Sequence, residues 1–253
     1  MSKRKIIILS ILIVVVIVVI IIIANQWRSN IYYHKITVKG NTQISREEVL
    51  LAANLKEDTT INIEELNLIF LQDRILKHPE IKSAKVYTVP PDELVVEITE
   101  KKPIAILNFN TELKLIDGDG EIFSFRNFEK LYDLPVINGV NIDSIKNKGN
   151  DFLIAMMIIK MAFQRGKSVY NQISEINFMD TLRTVLFTND NTIPFYFPKY
   201  NVYMQPDSSI INDIKFRLAL FEECQQQLLP KFVGRNVEYI DIRYMNNIFI
   251  KSN

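Results

Sequence analysis

The sequence predicts an α+β protein with an N-terminal transmembrane helix, a small β-α-α-β-β domain, and a mixed β-sheet domain with flanking helices. Three observations support this fold class. A long apolar run covers Ile6–Ala24, several later segments alternate apolar and polar residues, and other stretches repeat apolar residues at helical spacing. We expect two folded domains behind one membrane segment.

Charge and composition exclude several classes of function. The 253 residues carry 30 Lys plus Arg against 29 Asp plus Glu, a formal net charge of +1, which does not suit a protein that neutralises nucleic-acid phosphates. One Cys and two His leave no disulfide framework and little material for a zinc site. We expect no cofactor, no metal, no catalytic residue, no small-molecule substrate and no nucleic-acid partner.

The apolar run Ile6–Ala24 has the length of a membrane span. Its 19 residues include one polar member, Ser10, and as a helix it would extend about 28 Å, close to the thickness of the hydrocarbon core. A cleaved signal peptide is the alternative. The run is longer than the usual apolar region of a signal peptide, and no A-x-A-like cleavage site follows it. We therefore expect a helix that remains in the lipid bilayer.

The charges flanking the run predict its orientation. Lys3, Arg4 and Lys5 precede it, whereas Arg28 is the only early charge after it, so the N-terminus should be cytoplasmic. The chain after residue 24 carries about −2. We expect a single-pass protein of the cytoplasmic (inner) membrane with most of its chain periplasmic or extracytoplasmic. Its predicted segments are a cytoplasmic tip 1–5, the transmembrane helix 6–24, a linker 25–30, a small domain 31–101 and a β domain 102–253.

The small domain begins with a strand and a helix. Residues 35–40 alternate and end at Gly40, which predicts a half-buried strand. Ser45 and Glu48 have the spacing of a capping box, in which each side chain would satisfy a backbone amide. A second helical stretch is predicted to open at Asn62 and to end before Pro79. Its expected apolar stripe is Leu66, Ile69 and Phe70.

Two strands, 81–89 and 93–101, complete the small domain around a Pro90-Pro91-Asp92 turn. Val38-Lys-Gly-Asn41, Ile44-Ser-Arg-Glu-Glu48, and the segment from His78 to Val86 followed by Pro91-Asp-Glu-Leu94 resemble a POTRA domain. POTRA domains are extracytoplasmic modules for protein docking. One such domain directly after one membrane helix resembles the FtsQ/DivIB cell-division proteins.

The resemblance continues into the larger domain. Glu100-Lys-Lys-Pro-Ile-Ala105, the segment from Leu115 to Phe123, and Leu134-Pro-Val-Ile-Asn-Gly139 resemble successive segments of the same family. The residues themselves predict helices at 151–165, stopped by a left-handed Gly166, and at 208–229, before Pro230. Strands are predicted at 173–178, 181–188, 193–197, 237–244 and 247–251.

Three groups of residues could suggest other chemistry. Asp117-Gly-Asp-Gly-Glu121 lacks the loop of a calcium site and is typical of a hairpin turn. Cys224 lies on an apolar helical stripe and is far in sequence from His34 and His78, so a buried hydrophobe is favoured over a nucleophile. The cluster Met156, Met157 and Met161 is interpreted as core filling.

The end of the chain is the strongest candidate for a binding site. Val237–Tyr244 resembles the closing strand of the FtsQ/DivIB family, and Ile248–Lys251 resembles its final extension. In that family the C-terminal β region recruits two membrane proteins, FtsB and FtsL, and FtsB adds a strand to an exposed edge. An ordinary interior strand is the alternative. The partner-binding residues implied by the resemblance are Tyr244, Ile248, Phe249, Ile250 and Lys251.

The resemblance implies a non-enzymatic scaffold of the division machinery, located in the cell membrane at the septum. Its partners would be FtsB- and FtsL-type proteins, together with the lipid bilayer around Ile6–Ala24. Another POTRA-bearing envelope assembly or secretion factor is the alternative, although no second β-α-α-β-β repeat is visible in the sequence. A membrane-anchored envelope enzyme would need a catalytic cluster, and the sequence presents none.

Overall fold

The chain divides into two units, Met1–Lys101 and Lys102–Asn253, and the first unit includes helix α1 (Lys3–Arg28). The computed structural model describes residues 3–28, 32–33, 35–56, 61–62, 66–110, 112–124, 132–140, 149–202, 207–245 and 247–253. Side chains are described for residues 11–24 and for all of these ranges after residue 34, except 61–62. His34 and the side chains of Trp27, Tyr32 and Tyr33 lie outside this description. Within the described residues no helix meets the length and hydropathy of a membrane span.

The first unit contains the β-α-α-β-β arrangement that the sequence predicts. Its main sheet has the order β2-β5-β4, with β2 parallel and β4 antiparallel to β5. Two further strands, β1 and β3, pair with each other. The elements are β1 (Tyr32–Tyr33), β2 (Lys35–Lys39), α2 (Arg46–Ala53), β3 (Ile61–Asn62), α3 (Leu68–Ile75), β4 (Ile81–Val89) and β5 (Glu93–Glu100).

Buried side chains of α2 and α3 share one core with the sheet. Val49 and Ile75 meet Leu94, Val96 and other strand residues in this core. After β2, the chain passes so close to β5 that a Cβ on Gly40 would lie 2.0 Å from the carbonyl oxygen of Ile98. Gly40 also has φ +81°, so the turn requires glycine.

The start of the second helix differs from the prediction. Asn62 lies in β3, and the helix begins six residues later because the side chain of Asn67 accepts a hydrogen bond from the amide of Phe70, 3.0 Å away. This start turns Leu71 and Ile75 into the core. Ile69 and Phe70, expected on the apolar stripe, are 73% and 52% exposed.

The predicted capping box forms only in part. The hydroxyl oxygen of Ser45 accepts from the amide of Glu48, 3.1 Å away, as expected. The Glu48 carboxylate does not bond back to Ser45. Its Oε1 instead lies 2.9 Å from Nε2 of His78, whose side chain is buried. His78 therefore links α2 to the turn before β4.

Among its described residues, the second unit has nine strands in one mixed sheet, together with helices. The sheet order is β14-β13-β12-β11-β10-β9-β6-β7-β8, in which β6–β9, β9–β10 and β12–β13 are parallel pairs. Its strands are β6 (Pro103–Phe109), β7 (Glu112–Asp117), β8 (Ile122–Ser124), β9 (Val136–Asn138), β10 (Ile173–Asn177), β11 (Arg183–Thr188), β12 (Pro194–Pro198), β13 (Val237–Asp241) and β14 (Phe249–Ser252). Its helices are α4 (Gly149–Arg165), α5 (Lys167–Asn171) and α6 (Ser208–Glu223).

Helices α4 and α6 pack on each other and supply one side of the core. Ile158 of α4 and Phe221 of α6 are fully buried with Phe195 and Phe197 of β12. The rings of Phe195 and Phe221 meet edge to face at 4.8 Å between centroids. The alternate residues of β12 face the other side of the sheet, where Tyr196 is half-buried.

The predicted helix 208–229 is α-helical only to Glu223. A π-helical turn, Cys224–Leu228, and a 3-10 turn, Leu229–Phe232, follow it. Pro230 explains the change, because its ring would clash with the carbonyl four residues earlier in a continued α-helix. The amide of Leu229 bonds to the carbonyl of Cys224, the wider spacing of a π-turn.

Gly166 also differs in detail from the prediction. The helix ends at Arg165 as expected, but Gly166 has φ +153° and ψ +152° rather than left-handed helical angles. Its amide donates to the carbonyl of Ala162, and α5 begins directly after it. Gly166 therefore joins two helices in a backbone conformation that favours glycine.

Candidate functional site

Strand β14 forms one edge of the nine-stranded sheet. Among the described strands its only neighbour is β13, to which it is antiparallel. The edge strand contains three of the five residues predicted to bind partners, and the other two precede it. Tyr244 and Ile248 lie in the connection between β13 and β14, whereas Phe249, Ile250 and Lys251 lie within β14.

Backbone groups of this edge are directed away from the sheet. The amide of Asn253 donates to the carbonyl of Asn236, 3.0 Å away, on the β13 side. Backbone groups alternate in direction along a strand, so Lys251 also bonds toward β13. The N–H and C=O groups of Ile250 and Ser252 consequently point to the outer edge, where another strand could pair with them.

The side chains of β14 alternate between the two faces of the sheet. Ile250 packs against the core, while Phe249 on the other face is 51% exposed. Lys251 lies on the same face as Phe249, and its Nζ is 2.6 Å from Oε2 of Glu238. Ile248 precedes the strand and is exposed. The structure therefore presents Phe249 and Lys251 outward.

Tyr244 adds to this outward surface. Its ring and that of Phe249 meet edge to face with 5.3 Å between centroids, and each is about half exposed. Paired, half-exposed aromatic rings beside a free strand edge combine an apolar anchor with unpaired backbone groups, which is typical of protein interfaces.

The position of Tyr244 depends on a buried arginine of α6. The Arg217 guanidinium is 3% exposed and donates to the carbonyl oxygens of Ile242 and of Tyr244, the latter at 2.9 Å. Its charge is balanced by Asp213, one turn earlier, at 3.0 Å. The hydroxyl of Tyr200 donates to the same carboxylate at 2.7 Å. Helix α6 therefore holds the segment that follows β13 from the core side.

Sequence reasoning missed the contribution of the β10–β11 turn. This turn lies at the same end of the sheet as the β13–β14 connection, because β10 and β13 run in the same direction. Met179 and Leu182 of this turn are each more than 70% exposed. The carbonyl of Asn138 accepts from Phe178 at 2.9 Å, and a Cβ on Gly139 would lie 2.7 Å from the amide of Met179. The turn is therefore fixed against the end of β9.

Two arginine–carboxylate pairs lie where the β10–β11 turn and the β13–β14 connection meet their strands. Arg183 pairs with Asp180 at 2.5 Å, and Arg243 pairs with Asp241 at 2.7 Å. Burial raises the pKa of Asp241, but hydrogen bonds from Arg243 and the charges of Arg243 and Arg183 outweigh it, so this pKa is lowered. The pKa of Asp180 is lowered by the amide of Leu182 and by Arg183. Both carboxylates therefore remain ionised at neutral pH and balance the two arginines.

An aromatic pair continues this surface across the sheet. The Arg183 guanidinium lies 3.9 Å above the Tyr196 ring, and Tyr196 stacks on Tyr239 at 4.9 Å. Arg and Tyr are among the residues that dominate interface energetics. We name Met179, Leu182, Arg183, Tyr244 and Phe249 the rim. The alternation of 181–188 and 193–197 in the sequence could have placed Arg183 and Tyr196 on the outer face.

The other sequence candidates have structural roles. The Asp117 carboxylate accepts from the amides of Asp119 and Glu121, each at 2.9 Å, and closes the β7–β8 hairpin as predicted. Cys224 is buried, and burial with the nearby Glu223 charge raises the pKa of its thiol to about 11. Met156 is buried and Met157 and Met161 pack on the core. Within the described part of the chain no group of three or more His, Cys, Asp or Glu side chains could hold a metal.

Two described protein families match stretches of this chain. Residues 33–101 match the family described as POTRA domain, FtsQ-type, and residues 105–243 match Cell division protein FtsQ/DivIB, C-terminal. The chain belongs to the FtsQ/DivIB family. The POTRA domain and the β domain predicted from the resemblance are confirmed, and the family match favours a division protein over other POTRA-bearing assembly factors.

The chain is similar to cell-division proteins from several bacteria. Cell division protein FtsQ of Syntrophotalea carbinolica is 28% identical over 86% of this chain and 72% of its own length. Cell division protein FtsQ of Geotalea daltonii is 23% identical over 86% of this chain and 74% of its own length. The solved extracytoplasmic domain of the trans isomer of DivIB from Geobacillus stearothermophilus is 14% identical. The match covers 52% of this chain and 97% of the solved domain, with a TM-score of 0.34.

Proposed function

We propose that this FtsQ/DivIB protein is a non-enzymatic, membrane-anchored scaffold that recruits FtsB- and FtsL-type partners to the division septum. The observation that carries the proposal is the free edge of β14 beside the exposed Tyr244–Phe249 pair. The cell-division role follows from the family. The partners, the anchor and the docking residues are the part that experiments must test.

Partner docking on β14 would proceed by strand addition. An incoming strand pairs with the outward backbone groups of Ile250 and Ser252, which supplies affinity without sequence preference. Specificity comes from the side chains that flank the added strand. Phe249 and Tyr244 offer an apolar anchor, and Lys251 offers a cation that Glu238 holds in place.

The membrane anchor is supported by the run Ile6–Ala24 and by helix α1. The described side chains of residues 11–24 are aliphatic and exposed. Exposed aliphatic side chains all around a helix suit a lipid environment. In the proposed arrangement the segments are 1–5 in the cytoplasm, 6–24 in the bilayer, 25–30 as a linker, 31–101 as the POTRA domain and 102–253 as the β domain, both outside the cytoplasm.

Tethering gives this scaffold its mechanism. Partners that are themselves anchored in the same bilayer meet the β domain in a thin layer rather than in a volume. The effective concentration of the partner strand rises without any new contact. A weak strand-pairing interface can then assemble a complex and also release it.

The decisive experiment places a photocrosslinking amino acid at Phe249 and, separately, at Tyr244 of the full chain in dividing cells. We expect both positions to capture short membrane proteins of the FtsB or FtsL type, because both side chains flank the free edge. Exposed Ser124 on β8, at the opposite edge of the same sheet, is the matched control and should capture neither. Normal division with no capture at either test position would remove β14 as the docking edge.

A further inference from the structure

The POTRA domain has two outer surfaces of different character, the open face of its sheet and the outward side of its helices. The face opposite the helices carries exposed polar residues, among them Lys39, Lys85, Glu97 and Thr99. The outward side of the helices has exposed acidic residues, Glu47 and Asp73, but it also carries large apolar side chains. Leu51 of α2 is 76% exposed, and Ile69 and Phe70 of α3 are 73% and 52% exposed. We name these three residues the outer helical face.

Isolated exposed apolar residues are ordinary, so the location of these three residues matters. Strand β1, which directly follows α1, pairs with β3, and β3 lies in the connection between α2 and α3. Tyr32 is opposite Asn62, and Tyr33 is opposite Ile61. The backbone therefore ties the α2–α3 connection to the point where the chain leaves α1.

Chain length limits the distance between this connection and the membrane. Four residue steps separate Arg28 from Tyr32, at most about 14 Å of extended chain. Helix α1 itself continues four residues past Ala24, which adds about 6 Å. The β1–β3 pair therefore lies within about 20 Å of the end of the apolar run, less than the width of a small domain.

One neighbouring cation also suits a lipid surface. The Arg74 guanidinium lies 4.4 Å above the Phe70 ring on the same helix. An arginine beside an exposed aromatic ring can keep its charge at the headgroup level while the ring enters the apolar boundary. Among the described exposed residues of the polar sheet face, Val89 is the large apolar one, and it is only 37% exposed.

From this placement we infer that the outer helical face docks on the surface of the bilayer that holds α1. Leu51, Ile69 and Phe70 enter the boundary between headgroups and acyl chains, and the polar sheet face is directed away from it. The inference rests on the proposed anchor. Its consequence is a POTRA domain with a fixed side toward the lipid rather than one that rotates freely on its linker.

Fluorescence quenching in vesicles tests this inference on the full chain. Cys224→Ala removes the single native thiol, and one cysteine is then placed at Ile69, at Thr99 or at Ile17. Each is labelled with the same environment-sensitive dye and reconstituted in phosphatidylcholine vesicles. Aqueous iodide and a phosphatidylcholine carrying a shallow nitroxide are the two quenchers.

We expect iodide quenching at position 69 to be at least about twofold weaker than at position 99, and nitroxide quenching to be correspondingly stronger. Equal quenching at 69 and 99 overturns the inference while the anchor stands. Protection from iodide without nitroxide quenching means that a protein covers the face, which also overturns it. A label at Ile17 that iodide reaches and nitroxide does not would instead reject the anchor.

A second variant checks that the dye itself does not drive insertion. With the label at Leu51, the substitution Ile69→Glu places a charge in the proposed contact. We expect nitroxide quenching at position 51 to fall to the level of position 99. Unchanged quenching at 51 counts against a shared lipid-facing surface. The exposure of Ile69 makes this substitution harmless to the buried core.

Discussion

Glu100 closes the POTRA domain by accepting hydrogen bonds from a whole turn. Its carboxylate oxygens lie 2.7 Å from the amide of Thr42 and 2.6 Å from its hydroxyl. They also lie 2.9 Å from the amide of Gln43 and 2.8 Å from that of Ile44. Burial raises the pKa of Glu100, but these hydrogen bonds together outweigh it, so the pKa lies below the usual 4.5. The turn after Gly40 is therefore stabilised by an ionised side chain.

We predict that Glu100→Gln exposes this turn, because the amide nitrogen of glutamine cannot accept from the donors that face it. The free energy of opening the turn should fall by about 1–3 kcal/mol, and the amides of residues 42–44 should exchange with deuterium roughly 10- to 100-fold faster. Hydrogen-exchange mass spectrometry of the full chain measures this effect. Glu97→Gln on the same strand, where the side chain is exposed, is the control.

The same contact predicts a pH dependence. Since the folded-state pKa of Glu100 is lowered, its stabilisation is complete above the unfolded pKa near 4.5 and is lost as the pH falls through the folded pKa. The exchange difference between the wild-type protein and Glu100→Gln should therefore shrink in acid. A difference that stays constant to the lowest pH would show that the charge has no role.

Strand β14 is the element on which the proposed docking depends. Two consecutive residues of β14 differ in the direction of their backbone N–H groups. Ser252 points its N–H outward, whereas Lys251 points its N–H toward Tyr239 of β13. Proline is tolerated at an edge where the missing N–H faced solvent and is disruptive where it faced a partner strand. The strand thus offers a test of edge pairing that leaves the exposed side chains intact.

We predict that Ser252→Pro lowers partner capture at Phe249 about tenfold while the fold persists, since one intermolecular hydrogen bond and the close approach of the strand are lost. Deuterium exchange of β13 should be unchanged. Lys251→Pro should instead expose β13 and abolish capture together with the local fold. Full capture by Ser252→Pro would mean that partners do not pair with this edge.

Several elements followed from the sequence, and others could not. The Asp-Gly hairpin at 117–121 and the helix cap at Ser45 are local, so nearby residues determine them. Strands β1 and β3 have two residues each and no periodicity, and only their distant pairing defines them. The position of Arg217 beneath Tyr244 joins residues 27 positions apart in sequence and required the fold. The sequence therefore predicted Tyr244 as a docking residue but did not show that helix α6 positions it.

At the scale of the whole molecule, the division of charge sets the proposed topology. The three cations of the tip precede the apolar run, and the rest of the chain carries about −2. This distribution should keep the tip in the cytoplasm and both domains outside it. In the proposed function the scaffold acts only on that side, because its partners must share the compartment of the β domain.

We predict that a reporter enzyme active only outside the cytoplasm is active when fused after Asn253, because a single span places that residue opposite the tip. Replacing Lys3, Arg4 and Lys5 with Glu should reduce the active fraction, since the positive flank then lies after the run. Reporter activity per molecule measures both effects. An inactive wild-type fusion with normal protein levels would reverse the orientation.

The buried contact of Arg217 has a consequence for genetics. Since the carbonyl of Tyr244 depends on a guanidinium on the core side of the sheet, a change at Asp213 or Tyr200 alters a surface that neither residue touches. Loosening of this contact grows with temperature, as the local opening of the segment after β13 becomes more populated. Core substitutions around α6 should therefore produce temperature-sensitive division defects, with filamentous cells at high temperature and normal septa after a return to low temperature.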